Sequence, residues 1–414
     1  MLRFTCRPIC DMTINDLRIA LLNFIVARGA KEELIVRIED TDKEKNIEGK
    51  DQEFLDLLAL FEIEYSQVLY QSQNYRFHSA MALQLLHEKK AFSCFCSPEY
   101  LENKGKDTYD GACENLPAEL VIDNTNPFTV RIKKPQTTII IKDQLKGEIS
   151  FEPDDVDSFI IMNHDKTPTY DFASAVDDML SDISLVIRDE EYLNSTPKQE
   201  YIRKSLSYDK TIEYAHIPSI LGDSVSIKAL LEEGFLPSAI SNYLISIGSK
   251  PPKEIFDLKE AIEWFDLTHL SQSPAPFDKD TLRSINREHL KNLDNKELSR
   301  YVGFADEEIG ALAKIYLEEA ATTKELRSKI EPIFATKVIP EEFGETAETL
   351  RKTVKSAPYF ELYNEFKNHI IKESNLKEED VVQVLRLLLT GAKNGPDVAL
   401  IYKHLRNYIG EIVK

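Results

Sequence analysis

Leu34-Ile35-Val36-Arg37-Ile38-Glu39-Asp40-Thr41-Asp42 is the stretch whose reading decides the fold. Leu34 to Ile38 is apolar and β-branched, broken by Arg37 alone, which suits a parallel strand covered on both faces. Three carboxylates, Glu39, Asp40 and Asp42, follow within four residues. Ligands of an open α/β sheet bind outside the carboxyl ends of its strands. Acids placed there can meet an ammonium group, a hydroxyl or a metal. The same spacing also fits a solvated loop that caps the next helix, with Asp42 near the N-cap.

Working outward, Leu2 to Cys6 reads as a short first strand. A helix is expected over Asn15 to Arg28, with Thr13 or Asn15 as N-cap and Gly29 as its stop signal. With the Leu34 strand this makes a βαβ unit, the start of a doubly wound sheet. Further helices are expected over 49–61 and 75–89. Phe159 to Met162 reads as a buried strand, and a helix carrying Asp177 and Asp178 runs to Leu180. Ile183 to Arg188 is strand-like again and ends in Asp189-Glu190-Glu191. An arginine plus acids at two strand ends suits a zwitterion, the arginine meeting carboxylate and an acid meeting ammonium. From Val225 onward the pattern is almost wholly helical, with a linker expected between Ser271 and Asp280.

The chain has 414 residues, enough for two or three domains. Its composition, 42% hydrophobic and 29% charged, is that of a globular protein. No apolar run approaches the roughly 20 residues of a membrane-spanning helix, and no signal-peptide pattern opens the chain. A cytoplasmic, reducing setting is expected, in which five cysteines do not form a disulfide framework. A net charge of −20 argues against indiscriminate nucleic-acid binding, although local basic surface decides that question.

Cys94-Phe95-Cys96 and Tyr109-Asp110-Gly111-Ala112-Cys113 place three thiols and a phenol within twenty residues. A structural zinc needs four such donors. The alternative is a pair of core cysteines plus an unrelated third. Phe128 to Gly147 is β-rich and holds Arg131, Lys133, Lys134, Lys142 and Lys146 against a single acid, Asp143. Such a ribbon can follow a phosphate backbone or form a plain solvated strand face.

Taken together these residues resemble the glutamyl-tRNA synthetase family of class I aminoacyl-tRNA synthetases. The resemblance rests on Arg3-Phe4, Arg37-Ile-Glu-Asp-Thr-Asp42, the CxC…YxxxC loop, Pro168-Thr-Tyr170, Asp177-Asp178 and Ile187-Arg188. Ser195-Thr-Pro-Lys198, Tyr214-Ala-His-Ile-Pro218, Gly234-Phe-Leu-Pro237 and Leu385-Arg-Leu-Leu-Leu-Thr-Gly391 carry it to the C-terminus. The second bacterial type, which charges tRNA(Gln) with glutamate, is the nearest match. The resemblance implies an α/β fold: a Rossmann-type parallel-sheet catalytic domain over 1–275, with a small zinc-bearing acceptor-end insert over 91–150. An all-α stem-contact and anticodon-binding region over 276–414 would follow. It implies glutamate, tRNA and ATP with magnesium as substrates, a structural zinc, no membrane association and a monomer. By position, Arg3 and Arg188 would face carboxylates of glutamate, Glu39 its ammonium group, and Tyr170 its side-chain carboxylate. Cys94, Cys96, Tyr109 and Cys113 match the family's zinc pattern.

Two departures fall on the ATP side. The family's first-strand signature reads roughly APSPTGxxHIGxxR, and here Thr5 to Arg18 answers it with Thr13 for the histidine and Asn15 for the glycine. Those positions normally meet ATP phosphates at a helix N-terminus, where Asp16 now adds a negative charge. The lysine-bearing KMSK-type loop is also missing, because Ile220-Leu-Gly-Asp-Ser-Val-Ser-Ile227 closes the gap directly. Asp189 crowds the same side. The expectation is therefore a family reaction, ATP-dependent attachment of glutamate to tRNA, with activation weak or lost. The alternative is an inactive tRNA-binding or regulatory paralog.

Overall fold

The structure is a computed structural model that describes residues 1–97, 109–222 and 225–413. The chain divides into two compact units. One comprises Met1–Lys228 and Leu244–Phe277, the other Ala229–Tyr243 and Asp278–Lys414. The expected boundary near 275 therefore differs in one respect: the short segment 229–243 packs with the C-terminal unit.

The first unit is built on a seven-stranded sheet. At its centre β1 (Leu2–Cys6) and β2 (Leu34–Ile38) pair in parallel, Leu2 opposite Leu34 and Cys6 opposite Ile38. Every residue of β2 is buried, as its unbroken apolar run requires. Outside β2 lies β3 (Gln67–Tyr70), also parallel. On the other side of β1 come β9 (Leu185–Asp189) and β10 (Glu213–Ile217), parallel again. The sheet ends in the hairpin β6 (Ile139–Asp143) and β7 (Gly147–Phe151), giving the order β3-β2-β1-β9-β10-β6-β7. The chain winds one way from β1 to β3 and the other way through β9 and β10. The switch point is thus between β1 and β9, and a ligand cleft is expected at the carboxyl ends there.

A separate three-stranded antiparallel sheet holds β4 (Ala91–Cys94), β5 (Thr129–Ile132) and β8 (Phe159–Met162). The segment read as one insert over 91–150 is thereby divided, its last hairpin completing the main sheet. The basic ribbon is broken up with it. Arg131 is buried and donates from Nη1 to the Ser158 carbonyl at 3.1 Å. Lys134 pairs with Asp154, and Lys146 with Glu190 at 2.9 Å. Phe128 to Gly147 is consequently not a continuous basic track.

Helix α1 (Ile14–Ala30) covers the sheet with Leu17, Leu21, Leu22, Phe24 and Ile25 buried. The helix Tyr170–Leu180 fastens the sheet through two adjacent acids. Asp178 Oδ1 accepts from Arg3 Nε of β1 at 3.1 Å and from Arg37 Nη1 of β2 at 2.5 Å. Asp177 accepts from Gln71 Nε2, Asn74 Nδ2 and His78 Nε2 at 2.8–2.9 Å. Burial opposes the Asp178 charge, but Arg3, Arg37 and Arg203 outweigh it and hold the carboxyl well below its ordinary 3.8.

The second unit is all helical apart from short connections, as the periodicity predicts. Gly234 lies at φ +88°, and a Cβ there would stand 2.6 Å from the Lys324 nitrogen. Only glycine permits that approach. No helix among the described residues is long and apolar enough to cross a membrane.

Asp178→Asn leaves Arg3 buried without its counter-charge and Arg37 with Glu39 alone, at 3.6 Å. The expected loss is roughly 3–5 kcal/mol in urea unfolding, the penalty of breaking a buried ion pair. Because the folded carboxyl titrates below the unfolded one, this stability is complete above about pH 4 and fades as pH falls through the folded value. The variant's pH–stability curve should be flatter over that acid range.

Candidate active site

The three acids that follow β2 have separate fates. Asp40 accepts from the Ser72 backbone N–H at 2.8 Å and the Ser72 hydroxyl at 2.6 Å, fixing the turn after β3. Asp42 forms an exposed ion pair with Lys45 at 2.8 Å. Glu39 alone is buried, its backbone N–H donating to the Cys6 carbonyl at 2.9 Å. Its Oε2 accepts from Arg7 Nε at 3.3 Å, and its Oε1 lies 3.6 Å from Arg37 Nη2. Asp42 does not cap the next helix, Lys50–Leu60, whose N-cap is Gly49 without a side-chain bond, and of the three acids only Glu39 is buried.

Glu39 borders a cavity of about 790 Å³ walled also by Arg7, Gln71, Tyr75, Asn163 and Tyr170. Tyr170 opens its helix with its ring 5.6 Å from that of Tyr192. The Arg7 guanidinium lies over both rings, at 4.9 Å and 5.7 Å. Burial, followed by the Glu39 charge, raises the Tyr170 phenol above its ordinary value, so it stays a neutral donor.

Arg3 and Arg188, expected at this cavity, are not on its wall. Arg3 is buried in the pair with Asp178. Nor are Glu39 and Arg188 at adjacent strands, because β1 lies between β2 and β9. Arg188 donates to Gln199 Oε1 at 3.0 Å, Thr196 Oγ1 at 2.6 Å and His216 Nε2 at 3.3 Å. Since Nε2 accepts, the His216 proton sits on Nδ1, which donates to Asp143 Oδ2 at 2.6 Å. Burial, helped by Arg188, lowers the His216 pKa against the pull of Asp143 and keeps the ring neutral. This buried chain and Arg7 are what the sequence reading missed. Arg7 had one visible signal: it replaces the serine of the first-strand signature.

The α1 N-terminus is closed by the chain itself. Thr13 is the N-cap, its hydroxyl accepting from the Asp16 N–H while Asp16 accepts from the Thr13 N–H. The Ile14 N–H donates to the Val225 carbonyl at 3.0 Å, and the Ile227 N–H to the Met12 carbonyl at 2.9 Å. Asn15 clamps Ile220 twice, accepting from its N–H at 2.8 Å and donating to its carbonyl at 3.3 Å. The Asp189 carboxylate is held by the Ser219 hydroxyl at 2.8 Å.

At the end of β4 the thiols of Cys94, Cys96 and Cys113 lie within 4.8 Å of one another. The Tyr109 hydroxyl is 3.5 Å from Cys94 Sγ and 3.8 Å from Cys96 Sγ. Cys96 and Cys113 sulfurs are 3.6 Å apart and unbridged. Tetrahedral zinc with sulfur at about 2.3 Å sets ligand sulfurs about 3.8 Å apart, so the donor set fits the ion.

The class I tRNA synthetase (E and Q) catalytic-domain family matches residues 1–284. A protein of Sulfurimonas denitrificans named glutamate–tRNA ligase 2 is 61% identical, with the whole of both chains covered. This chain belongs to the glutamyl-tRNA synthetase family. Glutamate–tRNA ligase 1 of Nitratiruptor sp. is 49% identical, again over both full chains. In fold, the glutamate–tRNA ligase of Elizabethkingia meningosepticum, solved with its amino acid, superposes with a TM-score of 0.83. That match has 23% identity and covers 100% of this chain and 98% of that one. The family attaches glutamate to tRNA with ATP and magnesium. Alignment with the Sulfurimonas ligase spans 432 positions, 18 more than the 414 residues here. The relative thus holds residues for which this synthetase-family chain has none.

Asn15→Ala removes both partners of the buried Ile220 backbone. A loss of about 1–3 kcal/mol is expected, the penalty of unpaired buried polar groups. It should appear as a lower urea midpoint at unchanged slope.

Proposed function

We propose that this family member recognises tRNA and a glutamate-like substrate but forms the glutamyl adenylate weakly or not at all. The carrying observation is the α1 N-terminus. A helix start binds phosphate through free N–H groups and its partial positive charge. Here Val225 and the Thr13 hydroxyl already use the Ile14 and Asp16 N–H groups. Asn15 and Ile220 close the space that a glycine would leave open, and the Asp16 carboxylate opposes a phosphate. Each lost transition-state donor costs about 3–4 kcal/mol, and the lysine loop is a second, independent loss. The full ligase reading is favoured by 61% identity over the whole chain, and an inactive tRNA-binding paralog by the closed helix start.

ATP–pyrophosphate exchange with glutamate, run with tRNA(Glu) and with tRNA(Gln), separates these readings. The expected rate is near background with either tRNA, while filter binding detects a tRNA complex. Ordinary tRNA-dependent exchange would establish the full ligase instead. Thr13→His with Asn15→Gly should leave exchange at background, because the missing loop acts independently.

We further assign Cys94, Cys96, Tyr109 and Cys113 to a structural zinc, which would tie the loop after β4 to the small sheet. In the same reading that region meets the acceptor end of tRNA, the helical unit meets its stem and anticodon, and the protein works in the cytoplasm. Elemental analysis of purified protein should find about one zinc per chain, and Cys96→Ser should reduce it. Metal-free protein of full stability would remove the assignment.

A further inference from the structure

Of the basic residues between Phe128 and Gly147, only Arg131 is buried. On the β4–β5 ladder Phe92 stands opposite Arg131 and Cys94 opposite Thr129. Alternate residues of a strand share a face, so Cys94, Phe92 and Arg131 lie on one face of the small sheet. The Tyr109 ring rests against that face. It stacks 5.9 Å from the Phe92 ring, and the Arg131 guanidinium lies 4.3 Å over its centroid. Arg131 holds this position by donating from Nη1 to the Ser158 carbonyl at 3.1 Å. No carboxylate among the described residues pairs with it, and its Nε is buried without a hydrogen-bond partner. Its charge is therefore directed at the ring face, where a cation is attracted.

The turn that holds Arg131 also holds the backbone of the same tyrosine. Asp157 Oδ2, next to Ser158, accepts from the Tyr109 N–H at 2.6 Å. Asp157 itself stands at φ +55°, ψ −168°, a backbone that glycine adopts far more readily. An aspartate is strained there, and its carboxylate is the group that reaches Tyr109. The phenol oxygen so placed accepts from the Cys113 N–H at 2.9 Å and lies 3.5 Å and 3.8 Å from the Cys94 and Cys96 sulfurs. Thiolate, imidazole and carboxylate are the usual zinc donors. A phenol can complete such a set only if something pins its ring.

We propose that Arg131 and Asp157 are positioning residues of the metal site, holding Tyr109 so that its oxygen completes the set begun by Cys94, Cys96 and Cys113. The inference rests on the zinc assignment and deepens it by naming what makes the fourth donor available. Arg131 acts on the ring and Asp157 on the backbone, and neither touches the ion.

Zinc affinity of the full chain, measured by competition with a chromophoric chelator, tests this together with the visible spectrum of the cobalt-substituted protein. Arg131→Met, of similar reach but uncharged, should weaken zinc binding about 10–100-fold, the scale for groups that orient a metal ligand. Its cobalt d–d bands should lose intensity as the phenol oxygen leaves the ion. Arg131→Lys, which keeps a cation over the ring, should recover most of the loss. Tyr109→Phe should weaken zinc binding to a similar degree, and adding Arg131→Met to it should change little further. Asp157→Gly should leave the urea midpoint of the metal-free protein little changed, because glycine suits that backbone, yet weaken zinc binding as Arg131→Met does. Undiminished zinc affinity in Arg131→Met or Asp157→Gly, or an equal loss from Arg131→Met with and without the Tyr109 hydroxyl, would overturn the positioning role and leave the zinc site standing. An unmodified protein that binds neither zinc nor cobalt would overturn the zinc assignment, and this inference with it.

Discussion

The architecture depends on two neighbouring carboxylates, Asp177 and Asp178, on one turn of the helix Tyr170–Leu180. Successive residues of a helix point about 100° apart. One acid therefore reaches the strands and the other reaches the segment after β3. Asp178 joins Arg3 of β1 to Arg37 of β2, and Asp177 collects Gln71, Asn74 and His78. All the charged members are buried. A buried charge is tolerated only when paired and hydrogen-bonded, so each partner fixes the position of the others. Removing any one leaves the remainder uncompensated.

That constraint sorts the arginines of the catalytic unit. Arg3 and Arg37 are held by Asp178, and Arg188 by Gln199, Thr196 and the Asp143–His216 pair. Arg7 alone of these four lies on the cavity wall, beside Glu39 and the two tyrosines. The charge that a ligand meets is set by which guanidiniums are committed elsewhere. It does not follow from how many lie near the strand ends.

The α1 N-terminus shows the same logic applied to backbone groups. A helix start carries unpaired N–H groups that an anion, a side chain or another strand can satisfy. In this chain Thr13, Asp16 and the segment at Val225 satisfy them internally. The segment Val225–Ile227 pairs with Met12 and Ile14 through two backbone hydrogen bonds. Structural closure there and phosphate binding draw on the same donors.

Much of this was legible in the sequence because it depends on near neighbours. The alternation and runs of Leu2–Cys6 and Leu34–Ile38, the α1 pattern and its Thr13 cap, and the helical C-terminal unit follow from local periodicity and capping. The CxC…YxxxC cluster was legible for the same reason, since a loop of twenty residues can close on itself. The tertiary structure decided what distance along the chain conceals. Arg37 meets Asp178 across 141 residues and Arg188 meets His216 across 28. β1 comes between β2 and β9, and the 139–151 hairpin joins the main sheet instead of the small one. The physical reason is that a charge is read in sequence as a sign at a position. Whether it faces a ligand or a counter-charge depends on desolvation and pairing, and those exist only once distant strands have been brought together.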